Sequence, residues 1–201
     1  MKSKIVQPNP GFWIEYQLDQ ELLDWLSDRI AVARERVNHE LAGNITESLA
    51  LHDEDGKFNS FLQYHIIPHY IKNDEWHDGS SPKQYYLSRL WCNYQYKHEF
   101  NPSHRHIGEW SFVIWMKIPT NWQEQHNVFK GLKEPRASDF EFTYTNMLGE
   151  IKHCIYKLDP SMEGTMLFFP SKLYHQVYPF YNCDDERISI SGNIRKYESL
   201  F

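Results

Sequence analysis

Residues 101–119 read NPSHRHIGEWSFVIWMKIP. Within this stretch Trp110, Phe112, Ile114 and Met116 alternate with Ser111, Val113, Trp115 and Lys117. That is the period of two imposed by a β-strand, whose successive side chains leave opposite faces. Most of these side chains are expected in a core, with Trp115 a candidate to line a pocket. Similar runs lie on both sides: YYLSRLWCNYQY (85–96), DFEFTYTN (139–146), IKHCIYKL (151–158), GTMLFFP (164–170) and RISISGNI (187–194), separated by Pro, Gly, Asn and Asp clusters. Several short strands in succession mean a sandwich or a barrel. A βαβ succession would need helical patterns between the strands, and after residue 84 only the polar stretch Asn121 to Ser138 offers one.

Upstream the period changes. After Asp19, a candidate N-cap, Leu22, Leu26, Ile30, Ala33 and Val37 recur every three or four residues, which predicts one amphipathic helix losing definition near Leu41-Ala42-Gly43-Asn44. A second helical stretch is expected from Phe58 to Tyr70, interrupted by Pro68. The expected fold is mainly β with N-terminal helices (α+β). A mainly helical layer over 1–83 lies on a double sheet over 84–201, all within a single domain (1–201).

Composition narrows the function classes. A chain of 201 residues buries roughly 70% of its unfolded surface, so it needs no disulfide or structural metal to hold a core. The 7 Trp, 13 Tyr and 12 Phe argue against disorder. Cys92, Cys154 and Cys183 form no CxxC pair, which suits a reducing compartment. The net charge of −6, with no Lys/Arg cluster, argues against broad binding to a phosphate backbone. No apolar run approaches the roughly 20 residues of a membrane span, and no secretory signal is evident, so a cytoplasmic location is expected.

The chemistry concentrates in histidines, of which there are eleven. His104 and His106 in an HxH pattern would share one strand face, with Arg105 opposite, and two such imidazoles can share a metal. Taken alone, an HxH is more often a pair of surface or hydrogen-bonded histidines. His175 follows the apolar strand ending at Pro170, and Arg187 opens the alternating strand RISIS twelve residues later. An arginine facing inward calls for an anion, because an unpaired buried charge is costly, and with no obvious partner nearby an anionic ligand is expected. His65 and His69 in HIIPH lack the glutamate of a zinc-protease motif and read as surface histidines.

The ordered set of HxH (104–106), FPSKLYH (169–175) and RIS (187–189) resembles the iron(II)- and 2-oxoglutarate-dependent oxygenases. Its phrasing is similar to small members of that superfamily in T4-like bacteriophages and marine bacteria. The likeness spans roughly 88 to 195, with a weaker echo in a helical LAGNI segment at 41–45. It implies a double-stranded β-helix, the jelly-roll or cupin-like barrel, with Fe(II) on His104, His106 and His175. It further implies the distal carboxylate of 2-oxoglutarate on Arg187 with Ser189 beside it, O2 as the other cosubstrate, and Asn93 and Gln95 near the same group. Where the superfamily usually has a carboxylate, this chain has His106, with Glu109 an alternative on the other strand face. The implied activity is hydroxylation of a C–H bond in an unidentified second substrate with release of succinate and CO2. A protein side chain or small metabolite is favoured over duplex DNA, and no membrane is involved. For a phage-encoded chain the location would be the host cytoplasm. Two readings stay beside it: a three-His cupin-type dioxygenase without 2-oxoglutarate, and a jelly-roll binding module without turnover.

Overall fold

A computed structural model describes residues 11–197. Ten strands form two antiparallel sheets facing each other. In chain order they are β1 (Ile14–Gln17), β2 (Glu47–Ala50), β3 (Tyr85–Gln95), β4 (Asn101–His104), β5 (Trp110–Lys117), β6 (Phe140–Thr145), β7 (Ile151–Tyr156), β8 (Thr165–Pro170), β9 (Tyr174–Val177) and β10 (Arg187–Lys196). The larger sheet runs β1-β8-β5-β10-β3-β2 and the smaller β4-β9-β6-β7. The strand pattern predicts a sandwich or barrel, and this is the jelly-roll arrangement that the resemblance implies, with helices packed on the outer face of the larger sheet.

The alternation in β5 and β8 explains why both read as nearly continuous apolar runs. Trp110, Phe112, Ile114, Met166 and Phe168 pack outward among the helices. Val113, Trp115, Leu167 and Phe169 pack inward with Phe140 and Phe142 of the smaller sheet. Both faces of the larger sheet are therefore buried, and each large side chain so removed from water contributes about 1.5–3 kcal/mol. Gly192 in β10 faces the helical side because Phe112 lies over it: a Cβ there would come within 2.4 Å of the Phe112 ring.

The first helix, α1 (Gln20–Val32), starts where expected, with the Asp19 carboxylate accepting from the Leu22 N–H. It ends earlier than the spacing predicts. Ala33 turns to an extended conformation, and the Val37 N–H then donates to the Ser48 carbonyl. Val37 is thus buried against the sheet edge and not on a helix. The second stretch is continuous where a break at Pro68 was expected. α2 (Lys57–Phe61) passes through a π-helical turn, Leu62–Ile66, into α3 (Ile67–Asn73), with Pro68 in the first turn of α3. Because proline has no N–H, the wider turn lets the chain pass it while Phe58, Leu62, Ile66 and Tyr70 stay buried.

Residues before 84 also supply two strands that sequence reading missed. β1 pairs with β8 and β2 with β3, at the two edges of the larger sheet. Each has four residues, too few to register a period. LAGNI is not helical but a bent loop, tied to the neck of the barrel by the Asn44 N–H to the Phe100 carbonyl. The polar stretch after 121 contains one short helix, α4 (Trp122–Asn127).

Candidate metal and cosubstrate site

In the smaller sheet, His104 at the end of β4 stands directly opposite His175 on β9. His106 arrives differently from the strand alternation expected of HxH, since β4 stops at His104. The loop that follows is tied to the turn after β8: the His106 N–H donates to the Ser171 carbonyl at 2.8 Å, and the Ser171 N–H to the Glu109 carbonyl at 3.0 Å. Ser171 Oγ also donates to the Gly108 carbonyl. Gly108 has φ +134 and a Cβ there would lie 2.5 Å from the Ile194 carbonyl oxygen, so only glycine lets the loop lie this close to β10. The result is that the ligating atoms of His104, His106 and His175 all lie within 4.8 Å of one another.

The ring orientations suit a shared cation. His104 Nδ1 lies 2.7 Å from the Pro102 carbonyl and His175 Nδ1 3.0 Å from the Leu173 carbonyl. A carbonyl can only accept, so both Nδ1 atoms carry the proton and both Nε2 atoms present bare lone pairs. This is the outer hydrogen bonding that fixes the tautomer of a metal-ligating histidine. His106 Nε2 lies 3.2 Å from His175 Nε2. Ligand bonds of about 2.1 Å at right angles would set donor atoms about 3 Å apart, so this spacing fits one ion. Burial pushes the His106 pKa down to about 4 and holds those of His104 and His175 below the usual histidine value. The imidazoles are therefore neutral at neutral pH, the form a metal requires.

Beside the histidines, the inner face of the larger sheet presents a polar row. Arg187, Ser189 and Ser191 of β10 are in register with Gln95, Asn93 and Trp91 of β3. They line the same cavity as the three histidines, together with Trp115. The Arg187 side chain is completely buried. Its Nη2 donates to the Ser138 hydroxyl at 2.6 Å and the Ser138 carbonyl at 3.2 Å, and Phe180 lies beneath its plane. Nε and Nη1 are buried without a hydrogen-bond partner among the described residues. Burial pushes its pKa down to about 10, so it remains a cation. Unsatisfied N–H groups on a buried cation fit a carboxylate ligand.

The other candidates divide. Asn93 Oδ1 accepts from Ser48 Oγ at 2.7 Å, which fixes the orientation of its amide. The Gln95 amide N–H groups go to the Glu99 and Tyr178 carbonyls, leaving only Oε1 for anything else. Glu109 is exposed and is not in the histidine cluster, so among the described residues His106 and no carboxylate completes it. His65 and His69 are exposed, as expected. The loop Leu41–Ile45 borders the cavity mouth.

Sequence reading missed the acidic residue near Arg187. Asp139 is fully buried and raises the Arg187 pKa through its charge. It lies 48 positions upstream of Arg187, at the start of the DFEFTYTN run, where nothing marks it as facing the barrel. Its Oδ1 lies 2.9 Å from His126 Nε2. No helix among the described residues is long and apolar enough to cross a membrane.

Comparison with known proteins agrees with this geometry. No curated protein sequence matches the chain. Among solved structures, an oxidoreductase of the 2OG-Fe(II) oxygenase family from Burkholderia pseudomallei superposes with a TM-score of 0.58 at 13% identity, covering 92% of this chain and 86% of that one. A Pseudomonas putida prolyl-4-hydroxylase gives 0.53 at 12% identity over 92% and 94% of the two chains. The viral collagen prolyl hydroxylase of Paramecium bursaria Chlorella virus-1, in complex with 2OG, gives 0.50 at 13% identity over 94% and 98%. At these identities the likeness is one of fold. The model of a family described as "Putative 2OG-Fe(II) oxygenase" matches residues 89–193, from β3 through β10 and more than half of the chain. The histidine cluster and Arg187 both fall inside that span, and the chain belongs to this family of 2OG-Fe(II) oxygenases.

Proposed function

We propose that the protein is an Fe(II)- and 2-oxoglutarate-dependent dioxygenase that hydroxylates a C–H bond of a second substrate and releases succinate and CO2. The observation that carries this reading is the opening of three converging imidazoles and a buried, half-satisfied guanidinium into one cavity. The three histidines and Arg187 all line that cavity, and Arg187 keeps two buried N–H groups free for a ligand.

His104, His106 and His175 would hold the iron, and Arg187 with Ser189 the distal carboxylate of 2-oxoglutarate. Together these groups supply oxygen activation coupled to oxidative decarboxylation. The protein's own residues do the rest. The Pro102 and Leu173 carbonyls keep two imidazoles aimed inward. Ser138 keeps the Arg187 fork from rotating. Trp115, Phe140 and Phe169 wall the cavity with apolar surface, which excludes water and strengthens each charge interaction inside. Asn93 is oriented by Ser48 to meet the same ligand.

Three neutral imidazoles leave the metal one charge more positive than two imidazoles and a carboxylate would. A dianionic chelating cosubstrate compensates for this. The third imidazole is also the feature that favours a cupin-type dioxygenase working without 2-oxoglutarate, and Arg187 separates the two. Under the present reading Arg187→Met raises the concentration of 2-oxoglutarate that turnover requires; under the other it leaves turnover untouched. For the second substrate we favour a protein side chain or small metabolite over duplex DNA, given the net charge of −6.

The test is succinate formation by the purified protein. The reading expects slow release, even without second substrate, that requires both Fe(II) and 2-oxoglutarate. No succinate under any combination, despite bound iron, would overturn the reading and leave the cupin-type dioxygenase or a binding module.

A further inference from the structure

Behind Arg187 lies a buried ionisable pair that the proposed reaction does not use. Ser138 sits in the left-handed region at φ 73 and, besides holding Arg187, bonds Thr120 Oγ1 at 3.0 Å. The next residue, Asp139, is 0% exposed. Its Oδ1 lies 2.9 Å from His126 Nε2 on α4. Its Oδ2 is buried and has no hydrogen-bond partner among the described residues, like Nε and Nη1 of Arg187. The charges felt at Asp139 are His126, Arg136 of its own loop and Lys157 beyond β7. Asp139 is felt in turn by Arg187 of β10 and Tyr178 beyond β9.

The charge balance of this region decides the argument. Arg187 and Asp139, both buried, offset one another, while Arg136 is paired with Glu134 and Glu141 and Lys157 is exposed, so a carboxylate arriving on Arg187 adds one negative charge to a largely buried region. Such a charge is costly, and the imidazole seated on Asp139 is a group that can offset it by taking up a proton. We propose that binding of a dicarboxylate at Arg187 is coupled to uptake of one proton by the His126–Asp139 pair, which makes the pair the charge-balancing part of the anion subsite. The proton comes from solvent; the Nε2···Oδ1 hydrogen bond already holds one proton, so the added one goes to His126 Nδ1 or Asp139 Oδ2, and no bond to the cosubstrate forms or breaks. The proton belongs to the pair and not to one partner. Burial pushes the Asp139 carboxyl up to about 6, with His126 pulling the other way.

This inference rests on the reading that Arg187 holds 2-oxoglutarate. Its sign follows from linkage: if binding takes up a proton, affinity rises as the pH falls toward the titration of the pair and declines above it. The experiment is calorimetric titration of 2-oxoglutarate into the anaerobic Fe(II)-loaded protein in buffers of different ionisation enthalpy. The dependence of heat on buffer gives the protons taken up. Near pH 7 the wild type is expected to take up about half a proton or more, and Asp139→Asn close to none. At pH 8 Asp139→Asn is expected to bind several-fold more tightly than the wild type, since the opposing charge is gone. Binding without proton uptake in the wild type overturns the proposal and leaves the function standing, whether or not the variant folds. Equal uptake in wild type and Asp139→Asn places the proton elsewhere and overturns it too. Absence of any 2-oxoglutarate binding removes the proposal together with the function it rests on.

Discussion

His106 Nε2 and His175 Nε2 lie 3.2 Å apart although 69 positions separate them in the chain. His175 Nδ1 donates the only proton of the neutral ring to the Leu173 carbonyl, so its bare Nε2 is left to accept from His106 Nε2–H or to share a cation with it. Loss of an outer hydrogen bond to a metal ligand typically weakens binding 10- to 100-fold. His175→Ala and His104→Ala, which remove ligands outright, are therefore expected to weaken Fe(II) or Mn(II) binding by more than about 100-fold. Metal titration followed by calorimetry checks this, and His65→Ala serves as the neutral control.

Gly108 controls the same site from a distance. Its φ of +134 and the 2.5 Å approach of a built Cβ to the Ile194 carbonyl mean that alanine must displace the loop carrying His106. Overpacking of this kind costs about 1–3 kcal/mol. Gly108→Ala is expected to weaken metal binding about tenfold or more, because the loop between residues 105 and 109 moves. Unchanged affinity would show that the loop tolerates the shift.

For Arg187 the expected loss is specific to one ligand. A charge-assisted hydrogen bond contributes about 1.5–3 kcal/mol, so Arg187→Met should lower 2-oxoglutarate affinity by roughly 10- to 150-fold while leaving metal affinity intact. Thermal shift gives a readout independent of turnover. A ligand at 100 times its Kd stabilises the wild type by about 2.7 kcal/mol, and at the same concentration that gain should fall to about 0.3–1.4 kcal/mol in the variant. Arg187→Lys is expected to recover little of it, because an ammonium lacks the planar fork.

The metal-free protein should be acid-sensitive. His106 titrates at about 4 in the folded chain against an ordinary 6.5, and burial lowers His104 and His175 as well. Between those limits the unfolded chain binds more protons than the folded one, so stability falls as the pH drops from about 6.5 to 4. His106 alone accounts for a loss on the order of 3 kcal/mol. Asp139 works in the opposite direction: its pKa, raised to about 6, favours the folded state as pH falls from 6 toward 3.8. One carboxyl set against three imidazoles leaves a net loss. Urea unfolding at pH 7.5 and 5.0 checks it, and bound metal should steepen the pH dependence, because protons compete for its ligands.

The sequence exposed whatever depended on local period or on short ordered motifs. The alternation through β5 and β10 revealed the sheets, and the order of His104, His106, His175 and Arg187 revealed a site whose members meet in one cavity. What it concealed depended on neighbours distant in the chain. β1 and β2 are four residues each and exist because β8 and β3 offer edges to pair with. Pro68 looks like a break until a π turn is seen to absorb it. The carboxylate whose charge acts on Arg187 was hidden for the same reason, since Asp139 comes near it only when the strands that follow Asp139 and begin at Arg187 pack into one barrel. The convergence of His106 did not come from strand alternation, as β4 ends two residues before it, but from the hydrogen bond to Ser171.

The most direct test of the central claim is anaerobic addition of 2-oxoglutarate to the Fe(II)-loaded protein, watched in the visible range. If the three histidines and Arg187 assemble one centre, a weak charge-transfer absorption grows in and saturates at one 2-oxoglutarate per chain. It should be lost in His106→Ala and, at the same ligand concentration, in Arg187→Met. A protein that binds Fe(II) tightly yet shows no absorption change at saturating 2-oxoglutarate contradicts the account.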